Sequence, residues 1–436
     1  EASAETLAAR LVHARASRPL LAGGDLASRI ELLLGPRAAG YAECHARVGT
    51  DDEPPEVVAD RVLAAWSAER VAVPLGARTY TARFEDGASG AALAAAAAEL
   101  APTSIVLVTD SNVAPLWAAP AEAALARVAR TARVVLPAGE AHKRLGTVEA
   151  ALAEMLAAGA DRRSVVVSLG GGVASDMAGF AAAVFLRGVR WVCAPTTLLA
   201  MVDASIGGKT GVDLGDAKNA VGAFHQPSAV VVDAAYTATQ AERDYTSGLA
   251  EVVKTACVGD AALLDRLEAE VDALRARRLD VVRGVALRCV RVKAAIVGRD
   301  EREAGERAVL NFGHTLGHAL EADGGFEALT HGEAVSLGVV AALRVGVRRG
   351  VTEAALADRV TRLLAGLGLP TALAPAQVGR AVRLIELDKK RVGRQIRAIL
   401  MRAPGDVELT PIDVDELTRG FVDAANFAPA PARPLD

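Results

Sequence analysis

Apolar and polar residues alternate along this chain with two different periods. From Val71 a period of two predicts a hairpin whose turn lies at Gly76. Beyond it, short apolar runs alternate with segments of helical period. This order predicts a parallel sheet, with ligands bound beyond the carboxyl ends of its strands. The predicted elements are helices at 90–100 and 147–158 and strands at 104–109, 133–137 and 164–169.

The two ends of the chain follow other patterns. Residues 1–69 are predicted to be helices joined by polar turns, with a D-D-E-P-P-E breaker. From about Thr237 to Val422 we expect mainly helices. The final residues are rich in proline, which is typical of a mobile tail. The predicted divisions of the chain are 1–69, 70–236, 237–425 and 426–436.

Composition limits the kinds of partner. The 436 residues are 52% apolar but only 3% aromatic, so Ala, Val and Leu have to build the core. A net charge of −4 argues against nucleic acid or a membrane surface as the main partner. Four scattered cysteines without a C-x-x-C pair favour reduced thiols in the cytoplasm. No uninterrupted apolar run is long enough to predict a membrane span.

Lysine and asparagine are scarce. Only seven of the 49 basic residues are lysine, so we interpret each lysine as a place where a compact ammonium is needed. On this reasoning, arginine at Lys209 or Lys254 should impair function without unfolding the protein. The alternative is that these lysines persist by chance and have no special role. Three of the four asparagines, Asn112, Asn219 and Asn311, lie in the same stretches.

Three of the seven histidines lie close together in the sequence. If residues 310–322 form a helix, His314 and His318 share a face, and the following turn can return His331 toward them. Converging neutral imidazoles are typical ligands of transition metals. This pattern predicts a metal site, against the alternative of ordinary helix histidines.

A carboxylate that could complete the metal site stands earlier in the chain. The segment G-L-A-E-V-V-K places Glu251 and Lys254 three residues apart on an otherwise apolar helix. Charges on an apolar face are costly unless they are paired or used. We interpret Glu251 as a candidate ligand, against the alternative of an ordinary Glu/Lys pair on a helix surface.

Two glycine-rich stretches are candidates for anion binding. Gly170–Gly172 directly follow a predicted strand, so the backbone can approach a pyrophosphate at the N-terminus of the next helix. The G-x-G-x-x-G pattern fails at Ser175, which leaves a plain strand-to-helix turn as the alternative. After Gly188 a polar stretch contains G-G-K-T. There, Lys209 and Lys218 either bind anions or lie on a solvated loop.

Six sequence motifs follow one another along the chain in this order: G-G-G-V-A-S-D, F-L-R-G-V, P-T-T-L-L-A-M-V-D-A-S-I-G-G-K-T, K-N-A-V-G, G-L-A-E-V-V-K and L-N-F-G-H-T-L-G-H-A. Together they resemble the 3-dehydroquinate synthase family over roughly residues 70–425. The resemblance implies an α/β fold, in which a Rossmann-like NAD-binding domain with a parallel sheet precedes an all-helical metal-binding domain. It places the active site in the cleft between them.

The resemblance also implies a reaction. The family converts the sugar phosphate 3-deoxy-D-arabino-heptulosonate 7-phosphate into 3-dehydroquinate and phosphate, a step of the shikimate pathway toward aromatic amino acids. A ring hydroxyl is oxidised to a ketone, phosphate leaves, the ketone is reduced again, and an aldol step closes the carbocycle. The implied cofactors are NAD, which is regenerated, and Zn²⁺ or Co²⁺. The implied assembly is a homodimer.

Carried over position by position, the functional residues of the family include all seven lysines and three of the four asparagines. The implied metal ligands are Glu251, His314 and His331. The implied catalytic residues are Lys209, Lys254, His318 and Asp203. The implied substrate contacts are Arg187, Asn219, Lys293, Arg307, Asn311, Lys389 and Lys390. The implied NAD contacts are Asp110, Asn112, Glu140, Lys143, Gly171, Gly172, Val173, Asp176, Thr196, Thr197, Lys218, Tyr236 and Thr239.

Three alternatives stay open at this point. A sister sugar phosphate cyclase that makes a valiolone or an inosose would share the NAD and metal sites. Lys293, Arg307 and Asn311 favour a substrate with a carboxylate instead. A metal-dependent alcohol dehydrogenase would not need so many cations for phosphate. A catalytically silent scaffold would not need intact motifs.

Residues 1–69 resemble the C-terminal part of a shikimate kinase. The R-P-L-L segment matches its lid, with Arg18 facing ATP phosphates, and R-A-A-G-Y matches a helix whose arginine, Arg37, grips the shikimate carboxylate. The phosphate loop G-x-x-x-x-G-K-[ST] occurs nowhere in the 436 residues. Since the sequence also begins at Glu1, we expect a longer, multifunctional native protein with a kinase ahead of the synthase. The alternative is that residues 1–69 are a relic that only packs against the synthase.

Overall fold

A computed structural model describes most of the chain. The described residues are 2–12, 18–21, 23–42, 44, 48–51, 53–59, 62, 69–87, 90–215, 217–323, 328–372 and 395–426. The predicted tail therefore lies almost wholly outside the described residues. Within them, no helix is both long and apolar enough to cross a membrane.

A seven-stranded sheet organises the first half, with strand order β1-β2-β9-β6-β5-β3-β4. All neighbouring strands are parallel except β1 and β2, which form the antiparallel hairpin predicted around Gly76. Strands β3, β5 and β9 are buried along their whole length, as expected where helices cover both faces of a parallel sheet. The strands are β1 (Arg70–Val73), β2 (Tyr80–Glu85), β3 (Ile105–Asp110), β4 (Thr131–Leu136), β5 (Val165–Gly170), β6 (Arg190–Pro195) and β9 (Ala229–Asp233).

Four helices connect these strands, and they are rich in alanine, which packs closely against the sheet. Each predicted helix of this part is present within a few residues of its expected ends. The helices are α4 (Ala91–Ala98), α5 (Ala119–Leu125), α6 (Leu145–Ala157) and α7 (Gly172–Val184). The predicted α/β fold with a parallel sheet is thus confirmed.

The polar stretch after Gly188 is mostly strand rather than loop, which corrects the solvated-loop interpretation. It contains β6, a separate antiparallel hairpin of β7 (Lys209–Leu214) and β8 (Ala217–Phe224), and then β9. Most residues of β8 are at least partly exposed on both faces, so the strand shows no apolar period that the sequence could reveal.

The described residues of the second half are mainly helical, and they include one hairpin that the sequence did not predict. Strands β10 (Gln395–Ala403) and β11 (Asp406–Asp413) pair antiparallel and close over the helices. The helices are α8 (Glu242–Gly259), α9 (Ala261–Ala269), α10 (Val271–Arg275), α11 (Leu279–Arg299), α12 (His314–Asp323), α13 (His331–Arg348), α14 (Ala354–Gly366) and α15 (Val414–Asn426).

The N-terminal segment has a small core of its own. Helices α1 (Ala4–Leu11) and α2 (Leu26–Leu34) pack together, and α3 (Ala38–Ala42) lies against the turn that contains Gly76. Only Leu21, Leu26 and Ile30 are fully buried in this cluster, which is separate from the main core. So small a core stabilises little by itself.

Helices α12 and α13 touch through their backbones. A β-carbon on Gly338 of α13 would overlap the carbonyl oxygen of Gly313, the residue before α12. Gly313 has φ +79°, a conformation that favours glycine and separates α12 from the preceding turn. The helix therefore begins at His314 instead of near residue 310 as predicted. This contact sets the distance between the two helices.

We expect Gly338→Ala to destabilise the protein by at least about 1–3 kcal/mol, because the new methyl group forces two backbones apart. Gly366→Ala in α14 is the matched control, since its β-carbon would meet only Val271 at an ordinary 3.7 Å. Helix propensity should leave that control neutral or stabilised by up to about 1 kcal/mol. Urea unfolding curves of both variants decide the matter, and equal midpoints would contradict the close packing.

Candidate active site

A cavity of about 580 Å³ lies between the β7–β8 hairpin and helices α8, α11, α12 and α13. Its wall is dense in charge, although the surrounding core is apolar. Most of the residues expected to be catalytic, metal-binding or substrate-binding line this one space. The lining includes Asp176, Asp203, Lys209, Asn219, Lys254, Lys293, Glu303, Arg307, Asn311, His314, His318 and His331.

Glu251, His314 and His331 form a group suited to a metal ion. One ligand atom from each lies within 4.8 Å of the other two. Oε1 of Glu251 is 3.3 Å from Nε2 of His331 and 3.6 Å from Nε2 of His314. Glu251 is fully buried and Lys254 forms an ion pair with its Oε2, while Oε1 faces the two imidazoles without a well-formed hydrogen bond among the described residues. A buried carboxylate oxygen and two imidazole nitrogens that converge in this way fit a divalent metal.

The second ring nitrogen of each histidine is held by the protein. Nδ1 of His314 lies 3.2 Å from the carbonyl oxygen of Phe312, and Nδ1 of His331 lies 3.4 Å from Glu321. Both rings therefore turn Nε2 toward Glu251, as metal-ligating histidines require. Burial lowers the pKa of His314 to about 3 and keeps this ring neutral. Burial also opposes charge on His331, but Glu251 and Glu321 outweigh it and raise its pKa to about 10.

Two lysines surround Asp203 beside the metal group. The ammonium of Lys293 donates to the carbonyl oxygen of Asp203 at 2.6 Å and also contacts its carboxylate. Lys254 contacts Glu251 and lies 3.9 Å from Asp203. Burial opposes ionisation of Asp203, but the two lysines outweigh it and lower its pKa. Burial lowers the pKa of Lys293 to about 8 despite the opposing pull of Asp203.

The G-G-K-T stretch is shaped by packing and is not a phosphate loop. Gly207 has φ +102°, and a β-carbon there would overlap the guanidinium of Arg307. Arg307 is buried and donates to the carbonyl oxygen of Gly207 at 3.2 Å. Lys209, two residues later, forms an ion pair with Glu303, which also accepts from Asn311. The turn thus delivers Lys209 to the cavity beside Arg307.

The strand order reverses at β3, because the chain adds β4 on one side of β3 and β5 on the other. Parallel α/β sheets bind dinucleotides in the crevice beyond the strand ends at such a switch point. Asp110 ends β3, and one of its carboxylate oxygens accepts from the amide of Asn112 at 2.9 Å. Gly170 ends β5, where a β-carbon would lie 3.2 Å from Asp110 and collide with Ala174. Helix α7 then begins at Gly172 with no side-chain cap, so its first amides face the crevice.

The remaining candidate NAD residues lie around the same edge of the sheet. Lys143 is buried and donates at 2.6 Å to both Asp176 and Asn219, so it joins the crevice to the cavity. Thr196 follows β6, and its buried hydroxyl has no hydrogen-bond partner among the described residues. Tyr236 packs edge-on against Trp117, whose indole donates to Thr239 at 2.9 Å. The other candidates at this edge are Glu140, Gly171, Val173, Thr197 and Lys218.

Some predicted site residues do not reach the cavity. Arg187 is exposed and does not line it, and with Leu186 and Gly188 it forms a run of three positive φ values. Lys389 and Lys390 lie outside the described residues, so their roles stay predictions. Arg18 and Arg37, expected to be kinase-like, together line a separate cavity of about 390 Å³ in the N-terminal segment.

Comparison with known proteins identifies the family. Family models match on both sides of the cavity, the N-terminal one of 3-dehydroquinate synthase at residues 133–247 and the C-terminal one at 248–391. A 3-dehydroquinate synthase of Halorhodospira halophila is 44% identical over 338 residues, which covers 78% of this chain and 94% of that protein. The chain belongs to the 3-dehydroquinate synthase family.

Solved structures show that this dehydroquinate synthase family member shares its fold with other cyclases. A 2-epi-5-epi-valiolone synthase of Streptomyces hygroscopicus with NAD⁺ and Zn²⁺ bound is 28% identical, with a TM-score of 0.69 over 80% of this chain and 97% of that one. A 2-deoxy-scyllo-inosose synthase in complex with carbaglucose-6-phosphate, NAD⁺ and Co²⁺ is 23% identical, with a TM-score of 0.70 over 79% and 97%. The second likeness concerns the fold alone.

Two acidic residues of this dehydroquinate synthase site were missed by the sequence reasoning. Glu303 holds Lys209 and Asn311, yet it lies in a loop of many charges where no pattern sets it apart. Glu321 is buried against His331, seven residues after His314 on α12. That spacing puts Glu321 on the histidine face, so helical period could have revealed it.

Proposed function

We propose that this chain converts 3-deoxy-D-arabino-heptulosonate 7-phosphate into 3-dehydroquinate and phosphate, with NAD and Zn²⁺ or Co²⁺ as cofactors. The observation that carries the proposal is the single cavity in which a metal-ligand group meets several cationic side chains. Membership of the family supports it. In the proposed organisation, residues 70–236 bind NAD, and residues 237–425 hold the metal and part of the substrate.

Each end of the substrate has complementary groups. The buried Arg307 and Lys293 provide two positive charges for the carboxylate, with Asn311 beside them for hydroxyl groups. Asn219 on β8 and His318 on α12 line the same cavity and suit the phosphate. A sister cyclase acting on a sugar phosphate without a carboxylate has no use for the first pair.

The chain prepares the reacting centre through fixed charges. When bound, the metal lowers the pKa of a coordinated hydroxyl and NAD takes up and returns the hydride. Glu251, His314 and His331 would hold the metal. Burial opposes charge on Lys254, but Asp203 and Glu251 outweigh it and raise its pKa, so its ammonium stays protonated beside the metal group. Lys209 faces the cavity from the hairpin and suits the phosphate or a developing oxyanion.

The test is turnover of the heptulosonate phosphate in the presence of NAD and Zn²⁺. We expect equal amounts of phosphate and 3-dehydroquinate, measured by a phosphate assay and by NMR of the product. Sugar phosphates without a carboxylate serve as the comparison and should release little phosphate. If they are turned over and the heptulosonate phosphate is not, the chain is a sister cyclase.

We expect kcat/KM to fall above about pH 8. The buried ammonium of Lys293, with its pKa lowered to about 8, loses its proton as the pH rises through that value. The free enzyme then has one positive charge fewer for the substrate carboxylate, so kcat/KM falls by about tenfold per pH unit. In Lys293→Arg, whose guanidinium stays charged, the fall should move to higher pH. An unchanged alkaline limb would contradict the assignment.

A homodimer is the assembly we propose. Arg187 does not line the cavity of its own chain, so an Arg187 contact with substrate would come from a second copy. Light scattering of the purified protein measures the assembly.

For residues 1–69 we propose descent from a shikimate kinase-like unit. Support comes from Arg18 and Arg37, which share one cavity with the leucines of α2. Because the 436 residues contain no phosphate-loop motif, the chain should not phosphorylate shikimate. Release of ADP from ATP that depends on shikimate would contradict this expectation.

A further inference from the structure

Lys218 on β8 lies between two carboxylates that belong to different parts of the site. Its ammonium is 3.4 Å from Oε1 of Glu140, in the turn after β4 at the dinucleotide crevice. It is 3.3 Å from Oε1 of Glu321 on α12, beside the metal group. The three donors of an ammonium allow it to contact both carboxylates at once.

Glu321 continues this chain of contacts to a metal ligand. Glu321 is buried, and both of its carboxylate oxygens lie 3.4 Å from Nδ1 of His331. The opposite nitrogen of the same ring, Nε2, faces Glu251. The position of Glu321 therefore determines which nitrogen is presented to a metal and the direction in which it points. Lys218 in turn fixes Glu321 from the hairpin side.

We propose that Glu321 is a positioning residue for the metal, and that Lys218 links it to Glu140 so that metal and NAD each strengthen the binding of the other. The inference rests on the proposed function. Ordering the series Glu140, Lys218, Glu321 and His331 costs conformational entropy, and the first ligand to bind meets that cost for both. By linkage, the factor by which metal tightens NAD equals the factor by which NAD tightens metal.

The experiment measures NAD⁺ affinity by calorimetry on the full chain, after removal of metal with EDTA and again with saturating Zn²⁺. In the wild-type protein we expect Zn²⁺ to lower the Kd for NAD⁺ by about fivefold or more. In Lys218→Met the Kd for NAD⁺ should be nearly the same with and without Zn²⁺, because the contact between Glu140 and Glu321 through Lys218 is lost. Glu140→Gln removes the same contact at its other end. The ratio of its two Kd values should also be near one, whatever the affinity of this variant for NAD⁺.

A second readout separates positioning from general stability. Glu321→Gln should weaken Zn²⁺ binding by about 10–100-fold and shift the visible absorption bands of the Co²⁺-loaded protein. Glu321→Asp, which restores the charge, should recover part of the affinity. Arg243→Gln is the matched control. It removes an ion pair with Glu333, two residues from His331, and leaves the contacts of Lys218 intact. This variant should therefore keep the wild-type ratio of the Kd values for NAD⁺ without and with Zn²⁺.

The outcomes are distinct. Wild-type protein that binds NAD⁺ and Zn²⁺ independently would overturn the linkage and leave the proposed function intact, as would a wild-type ratio in both Lys218→Met and Glu140→Gln. Unchanged Zn²⁺ affinity and Co²⁺ spectrum in Glu321→Gln would overturn the positioning role. A wild-type chain that binds neither ligand would contradict the proposed function as well.

Discussion

Replacing Glu251 with glutamine is expected to abolish metal retention and to lower kcat/KM by about 10³-fold, the equivalent of several kcal/mol of lost stabilisation. Glutamine keeps the shape of the side chain but removes the charge that the two imidazoles face. The change also leaves the buried Lys254 with Asp203 as its remaining carboxylate neighbour. Metal content after dialysis and turnover at increasing Zn²⁺ measure the effect.

Glu242→Gln provides the matched control on the same helix. Glu242 lies at the exposed start of α8, where it pairs with Arg277 and does not line the cavity. Its replacement should leave metal content and turnover unchanged. If Glu251→Gln retained the metal and wild-type activity, the metal assignment would be wrong, and so would the role given to His314 and His331.

Arginine at Lys254 should reduce kcat by about 10²-fold or more, because the larger guanidinium displaces the groups around it. Lys254 is 1% exposed and wedged between Glu251 and Asp203. Overpacking there should also cost about 1–3 kcal/mol of stability. This revises the sequence-based expectation that the substitution leaves the fold untouched.

Lys209→Arg is the informative partner of that variant. The side chain of Lys209 is 53% exposed and pairs with Glu303 at the cavity mouth, so a longer side chain has room. We expect unchanged unfolding curves and a smaller loss of turnover. Wild-type rates in both arginine variants would show that neither position requires a lysine.

The sequence predicted most of the elements that bring the sites together. The buried strands β3 and β5 were predictable from their short, mainly apolar runs, and the glycines after β5 predicted the turn. The metal group was predictable because histidines are few and the helical period places His314 and His318 on one face. The sequence also offered Glu251 as the carboxylate ligand, and the structure confirms that its helix, more than sixty residues earlier, brings this side chain to the two imidazoles.

Other features were beyond the reach of local patterns. Strand β8 is largely exposed on both faces, so its register depends on pairing with β7. The start of α12 depends on Gly313, which adopts a left-handed conformation at the point where α13 packs against it. Glu303 acquires its role only when the chain brings Lys209 to it. Each of these depends on tertiary contact.

The backbone contact between α12 and α13 divides this scaffold into a part that tolerates mutation and a part that does not. The spacing of the His314 and His331 backbones is set by main-chain atoms around Gly313 and Gly338. The facing wall of the cavity includes β8, whose residues are all at least partly exposed, whereas β7 is largely buried. Mutation of β8 at positions other than Lys218 and Asn219 can therefore explore new sugar phosphates while the ligand spacing is preserved. Strand β8 is the place to begin when engineering a cyclase of altered specificity.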